Sequence, residues 1–199
     1  VTEWAGRLRV VSQRRVFTLP KSTLQQPGQF DVLETFWANL ECAAVFDGRL
    51  WFGGTGGLWS MDADGNTEKS LDVREATVLL PVRGPAPALL VGSTDGIHLL
   101  HEGSRERTAL PLTLEPDDAA VSALEDAAGR LWLVTRHGAV LRLERDPGTP
   151  GGWRSPGPAS RLPPEGFTLT QVNDLICAWS SERTLRWDEA AQGFVPLPG

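Results

Sequence analysis

The residues with the most obvious chemical potential lie in the stretch GRLWFGGTGGLWS, Gly48 to Ser60, where Gly53, Gly54, Gly56 and Gly57 surround Thr55. Glycine-rich turns hold phosphates when their backbone amides converge, a lysine follows, and a helix N-terminus completes the site. Here Leu58 and Trp59 follow the last glycine and read as a strand. A dinucleotide fingerprint needs a helix at the same point and fails for the same reason. The run is therefore expected to be a tight turn between two strands.

The remaining candidates for chemistry are weaker still. SMDADGNT, Ser60 to Thr67, lacks the acidic oxygens and closing glutamate of a calcium-binding EF-hand loop. It also departs from the Ser-x-Asp-x-Gly-x-Thr-Trp outline of the sialidase Asp-box. An extra residue separates Asp62 from Gly65, and Glu68 stands where Trp would be. His98 and His101 are three apart in a strand-like segment, which places them on opposite faces. With His137 the only other histidine, a His-built metal site or catalytic triad is not expected. The chain has no Tyr, which excludes the Tyr-nucleophile route of sialidases, and no Gly-x-Ser-x-Gly elbow. No catalytic residue, metal or cofactor is expected.

Composition narrows the partners. The 199 residues are 41% hydrophobic and carry a net charge of −6, which argues against a nucleic-acid backbone as partner. No apolar run approaches the roughly 20 residues that span a bilayer, so no membrane partner is expected. The N-terminal VTEWAGRLRV lacks the apolar core of a secretion signal, giving an expectation of a cytoplasmic protein, although a chain beginning at Val1 leaves room for a segment upstream. Cys42 and Cys177 are expected to be buried thiols rather than a disulfide.

The elements that carry these residues follow from an internal repeat. Gly-Arg-Leu occurs at Gly6, Gly48 and Gly129, each time opening an apolar run, a turn and a second apolar run. Looser copies start at Ala88 and Leu175. Anchoring on Leu8, Leu50, Leu89, Leu131 and Leu175 gives spacings of 42, 39, 42 and 44, the period of a propeller blade at about 40 residues. In the fourth copy, AVSALED, RLWLVT, AVLRLE and GWRSP read as four strands. The second is apolar almost without a break, which implies burial on both faces, as between stacked blades. The Asp117–Gly129 segment also has helix-like caps and alanines, but its register in the repeat favours a strand.

VFDGRLWFGGTGGLWSMDADG and VSALEDAAGRLWLVTRHGAVLRLE resemble the two-component regulator propeller repeat, in which an apolar strand, an acidic residue and Gly precede Leu-Trp, Gly-Thr and Gly-Leu. Copy four has Val134-Thr135 in place of Gly-Thr, and copy five has Glu182 in place of the turn glycine. The resemblance implies an all-β propeller of about five four-stranded antiparallel blades, approximately 1–36, 37–73, 74–115, 116–160 and 161–199. These would form a closed ring or part of a larger one. It also implies a non-catalytic module for protein–protein interaction or small-ligand sensing in a bacterial signalling system. The alternative is a propeller hydrolase or lectin with a single asymmetric site at the channel mouth.

In such a fold the turns between second and third strands lie together near the channel mouth. SQRR, GTGG, STDG, TRHG and SSER share almost nothing, which disfavours five equivalent sugar sites. They gather Arg14, Arg15, Arg136, His137 and Arg183 with Asp95 and Glu182. This locally basic set is the candidate site for an acidic protein partner or a small anionic ligand. Neighbouring linkers are expected to be acidic, through Asp31, Glu34, Asp117 and Asp118. Trp51 and Trp132 occupy equivalent core positions, whereas Trp37 and Trp153 fall outside the repeat and are expected at the surface.

Overall fold

The computed structural model describes residues 2–4, 7–12, 14–18, 31–35, 39–83, 86–104, 106–149, 152–163 and 166–197. Its regular elements are β-strands, arranged in five antiparallel sheets that follow one another along the chain. The first contains β1 (Thr2–Trp4), β2 (Arg7–Ser12), β3 (Arg15–Thr18) and β4 (Asp31–Thr35). The second contains β5 (Leu40–Phe46), β6 (Arg49–Gly54), β7 (Gly57–Met61) and β8 (Thr67–Leu71). The third contains β9 (Ala76–Val82), β10 (Ala88–Ser93), β11 (Gly96–His101) and β12 (Arg107–Ala109). The fourth contains β13 (Ala120–Glu125), β14 (Leu131–Thr135), β15 (Ala139–Arg145), β16 (Trp153–Arg154) and β17 (Pro158–Arg161). The fifth contains β18 (Thr168–Val172), β19 (Leu175–Trp179), β20 (Thr184–Asp188) and β21 (Gly193–Pro196).

Each sheet is a simple meander, with one departure. GWRSP does not form one outer strand in the fourth sheet. Its Trp153–Arg154 pairs with one end of β15, and the later segment Pro158–Arg161 pairs with the other. The segment with helix-like caps contains strand β13, because pairing with β14 and burial of Ala120 outweigh its local alanine propensity. The glycine run is the expected turn: Gly54 pairs with Gly57, and Gly56 has a positive φ of 91°.

The second strands explain how the sheets stack. Leu50 and Phe52 join Val16 of the first sheet in one apolar cluster, while Trp51 between them joins Leu79, Leu89 and Val91 of the third. Leu90 then packs with Leu131 and Leu133 of the fourth sheet, and Trp132 and Val134 pack with Ile176 and Ala178 of the fifth. Successive residues of β6, β10 and β14 thus face the preceding and the following sheet in turn. With both faces covered, β10 and β14 are buried along their whole length. Full burial contributes about 1.5–3 kcal/mol per large side chain, so these interfaces dominate cohesion between sheets.

The first strands of the sheets add a hydrogen bond at each later junction. Cys42 Sγ donates to Ala76 O at 3.4 Å, Thr77 Oγ1 donates to Ala120 O at 2.5 Å, and Leu169 N donates to Ser122 Oγ at 2.8 Å. β5, β9 and β13 share a bulge at the corresponding place, at Glu41, Thr77 and Val121. Both thiols are free; burial, followed by the charge of Glu41, pushes Cys42 up to about 12.

Two readings need correction. Alternation places Ile176 and Ala178 against the fourth sheet, so the fifth copy is anchored on Ile176, one residue later than Leu175. Leu175 and Trp179 lie on the opposite, outward face, and Trp179 is 49% exposed. No sheet packs broadly on that face among the described residues. Trp153, expected at the surface, is 2% exposed: it packs between the third and fourth sheets with the Arg145 guanidinium 4.4 Å above its ring. Trp37 lies outside the described residues.

Asp126 is the most heavily bonded carboxylate of the interior. Its Oδ2 accepts Trp132 Nε1 at 2.9 Å and Arg130 Nε at 2.7 Å, and its Oδ1 accepts the amides of Ala128 and Arg130. Burial alone would raise its pKa, but the Trp132 and Arg130 bonds outweigh burial and hold it below the usual value. A depressed folded-state pKa gives stability that is complete above the unfolded value of about 4 and drains as pH falls through the folded one. Asp126→Asn should therefore cost about 1–3 kcal/mol at neutral pH and converge on the wild type in acid, as read by urea unfolding across pH. At Gly53 a Cβ would stand 2.5 Å from the Ala76 Cβ of the next sheet. Gly53→Val should cost about 1–3 kcal/mol through that clash; an unchanged urea midpoint would contradict the packing described.

Candidate functional site

Because the sheets repeat the same strand order with their first strands side by side, their second-to-third turns and intersheet linkers share one edge. Hydrogen bonds join the two sets. Thr55 N donates to Asn39 O, Gly56 N to Arg74 O, Thr94 N to Glu75 O, and Arg136 N to Ala119 O. The turns carry the diverged residues, and the linkers hold them in place.

The expected site residues are all described, and they are distributed unevenly. Arg14 and Arg15 are exposed on the first sheet, with Arg14 Nε donating to Asn39 Oδ1 at 3.4 Å. Asp95, in the β10–β11 turn, accepts the Arg74 amide at 2.7 Å. Arg136 and His137 lie in the β14–β15 turn, Arg136 on Glu75 at 3.3 Å and His137 Nδ1 at 3.7 Å from Glu115 and 3.8 Å from Asp118. Arg74 approaches Asp117 at 3.9 Å. Asp95, Arg136 and His137 are thus tied into one network through the linkers. Glu182 and Arg183 pair with each other at 3.8 Å in the β19–β20 turn.

The linkers supply what the turn sequences did not announce. Arg74, Glu75 and Glu115 are residues of this edge that no local motif marks, because their contacts cross from one repeat to the next. Asp117 and Asp118 are linker residues as expected, whereas Asp31 and Glu34 fall within β4. Asp118 is 2% exposed and accepts the amides of Ala119 and His137 on Oδ1. Arg136, His137 and Arg183 therefore each stand beside a carboxylate, and this part of the edge is a belt of mixed charge.

Glu41 of β5 feels the charges of this edge. Burial first, and the neighbouring Glu75 second, raise its pKa above the ordinary value, while Arg136 pulls the other way. The other carboxylates of this edge pair with arginines or accept backbone amides, Asp118 through Oδ1 alone. Among the described residues no group of three or more His, Cys, Asp or Glu side chains could hold a metal ion. His98 and His101 stand apart, His101 bonded to Thr108 Oγ1 at 3.1 Å.

No protein-family model matches the chain, and no curated protein matches it in sequence. Solved structures do match in fold. The gluconolactonase XC5397 from Xanthomonas campestris has a TM-score of 0.61 and 15% identity over 94% of this chain and 70% of its own. The extracellular domain assigned to the hybrid two-component system BT3049 of B. thetaiotaomicron has a TM-score of 0.60 and 15% identity, over 92% of this chain and 26% of its own. PorZ, a surface component of the type-IX secretion system of Porphyromonas gingivalis, has a TM-score of 0.60 and 14% identity over 98% and 27%. The chain thus spans about a quarter of the last two proteins. The likeness is one of fold: an all-β architecture of propeller type, shared with the extracellular domain assigned to a hybrid two-component system. It overturns the cytoplasmic expectation, since the BT3049 domain is extracellular and PorZ is a surface component.

The Glu41 environment gives a direct check. Glu75→Gln removes a charge that raises the Glu41 pKa, so carboxyl NMR titration should show Glu41 moving down towards the ordinary value. An upward or absent shift would separate the two carboxylates.

Proposed function

We propose that the chain is a non-catalytic interaction module of propeller type, its five sheets acting as blades. The turn-and-linker edge would dock a protein partner in an extracellular or surface-exposed bacterial signalling assembly. The observation that carries this reading is the belt itself: diverged, exposed and charged turns bonded to linkers on a scaffold with buried central strands. A rigid core with varied loops is the usual arrangement for recognition. The likeness to the BT3049 domain and to PorZ supports a setting outside the cytoplasm.

Mixed charge favours a protein surface over a small anion. Arg136 already neutralises Glu75, so an anionic ligand would have to compete with that carboxylate. A partner that presents both signs would add pairs at the rim, where they set orientation and on-rate.

A photo-cross-linking side chain placed at Arg14, Arg136 or Arg183 should trap one common partner in cells, while the same group at Lys69, on the outer strand β8, should not. Equal trapping at Lys69, or none at the three turns, would overturn the reading.

A further inference from the structure

Between the linker after β12 and the strands β15 and β17 lies a cleft of about 390 Å³, a volume within the range of small-molecule sites. Its floor is apolar, with Leu114, Ala139 and Leu141. Glu115, Asp118, Ser160 and Arg161 complete its wall. Glu115 and Arg161 pair across it at 2.9 Å, and His137 stands beside both Glu115 and Asp118.

Asp118 is a buried carboxylate in the cleft wall. Oδ1 is satisfied by the amides of Ala119 and His137 at 2.9 and 3.1 Å. Oδ2 accepts no hydrogen bond among the described residues; the His137 Nδ1 atom is 3.8 Å away, beyond hydrogen-bond reach. This oxygen lies on the wall of the cleft with no protein donor in hydrogen-bond reach among the described residues, open to a donor that enters the cleft. Asp117 has a positive φ of 60°, and the strained linker turns at this point to present Asp118.

We propose that this cleft binds a small organic ammonium ion, a primary amine with a short apolar body, either free or as the amino group of an amino acid. The ammonium donates to Asp118 Oδ2 and to Glu115. The body lies over Leu114 and Leu141. The balance of charge selects the cation: two carboxylates face one guanidinium, and that guanidinium is already paired with Glu115. An amino acid would place its carboxylate towards Arg161 and Ser160. The proposal extends the reading of this edge as a binding surface.

Calorimetric titration of the whole chain with n-butylamine hydrochloride, L-leucine, sodium isovalerate and 1-butanol tests it. Saturable binding of butylammonium or leucine is expected, with isovalerate and butanol at least about tenfold weaker, since a charge-assisted bond is lost. Leucine binding better than butylammonium would assign the carboxylate contact to Arg161; the reverse order would assign a simple amine. Asp118→Asn should weaken the amines at least about tenfold. If that variant fails to fold, Ser160→Phe, which fills the cleft from β17, should abolish binding while keeping the wild-type thermal melt. Equal binding of butanol and butylammonium, no binding by either amine, or unchanged amine binding in a folded variant would overturn the proposal. Partner trapping at the turns reads the surface separately: its loss with amine binding intact removes the docking face, and the converse removes the cleft.

Discussion

A strand that is apolar on both faces cannot be satisfied by one neighbour. Leu131, Trp132, Leu133 and Val134 require a sheet on each side, and the third and fifth sheets provide them. The same demand is made by Leu89–Leu90–Val91 and by Leu50–Trp51–Phe52. It forces sheets into a succession in which each covers the one before it. Hydrogen bonds of the first strands of the sheets, from Cys42, Thr77 and the amide of Leu169, then fix how closely the sheets approach. Gly53 shows how little space remains between the second and third sheets.

Polar groups inside this stack are handled locally. The Trp132 indole ends on Asp126, and the equivalent Trp51 indole ends on Phe46 O at 3.0 Å. Each tryptophan fills the space between sheets and returns its N–H to the chain just before its own strand, Trp51 to the last residue of β5 and Trp132 to the residue after β13. The same rings can therefore serve as core in two repeats whose turns differ. Charge is concentrated instead at the edges, where arginines and carboxylates from turns and linkers meet. That separation lets the turn-and-linker edge vary without loosening the core.

Much of the architecture was legible because it repeats. Strand order, the two-sided burial of central strands and the turn nature of the glycine run follow from spacing and residue type. The misreadings share another cause. Leu175 and Ile176 are both apolar, so only pairing with β18 and packing on the fourth sheet show which one faces inward. Trp153 looked external because it lies outside the repeat, but Arg145 and the neighbouring sheet enclose it. Arg136 and His137 read as a basic cluster because Glu75 and Glu115 lie far from them along the chain.

By itself, then, the sequence determined an all-β chain of five similar units, because periodicity and turn chemistry are local properties that survive without knowledge of contacts. Tertiary structure decided which charges neutralise each other, which face of the fifth sheet is covered, and that Asp118 is left with an unused oxygen at the wall of a cleft. Those are properties of approach between segments tens of residues apart, and no local pattern encodes that distance.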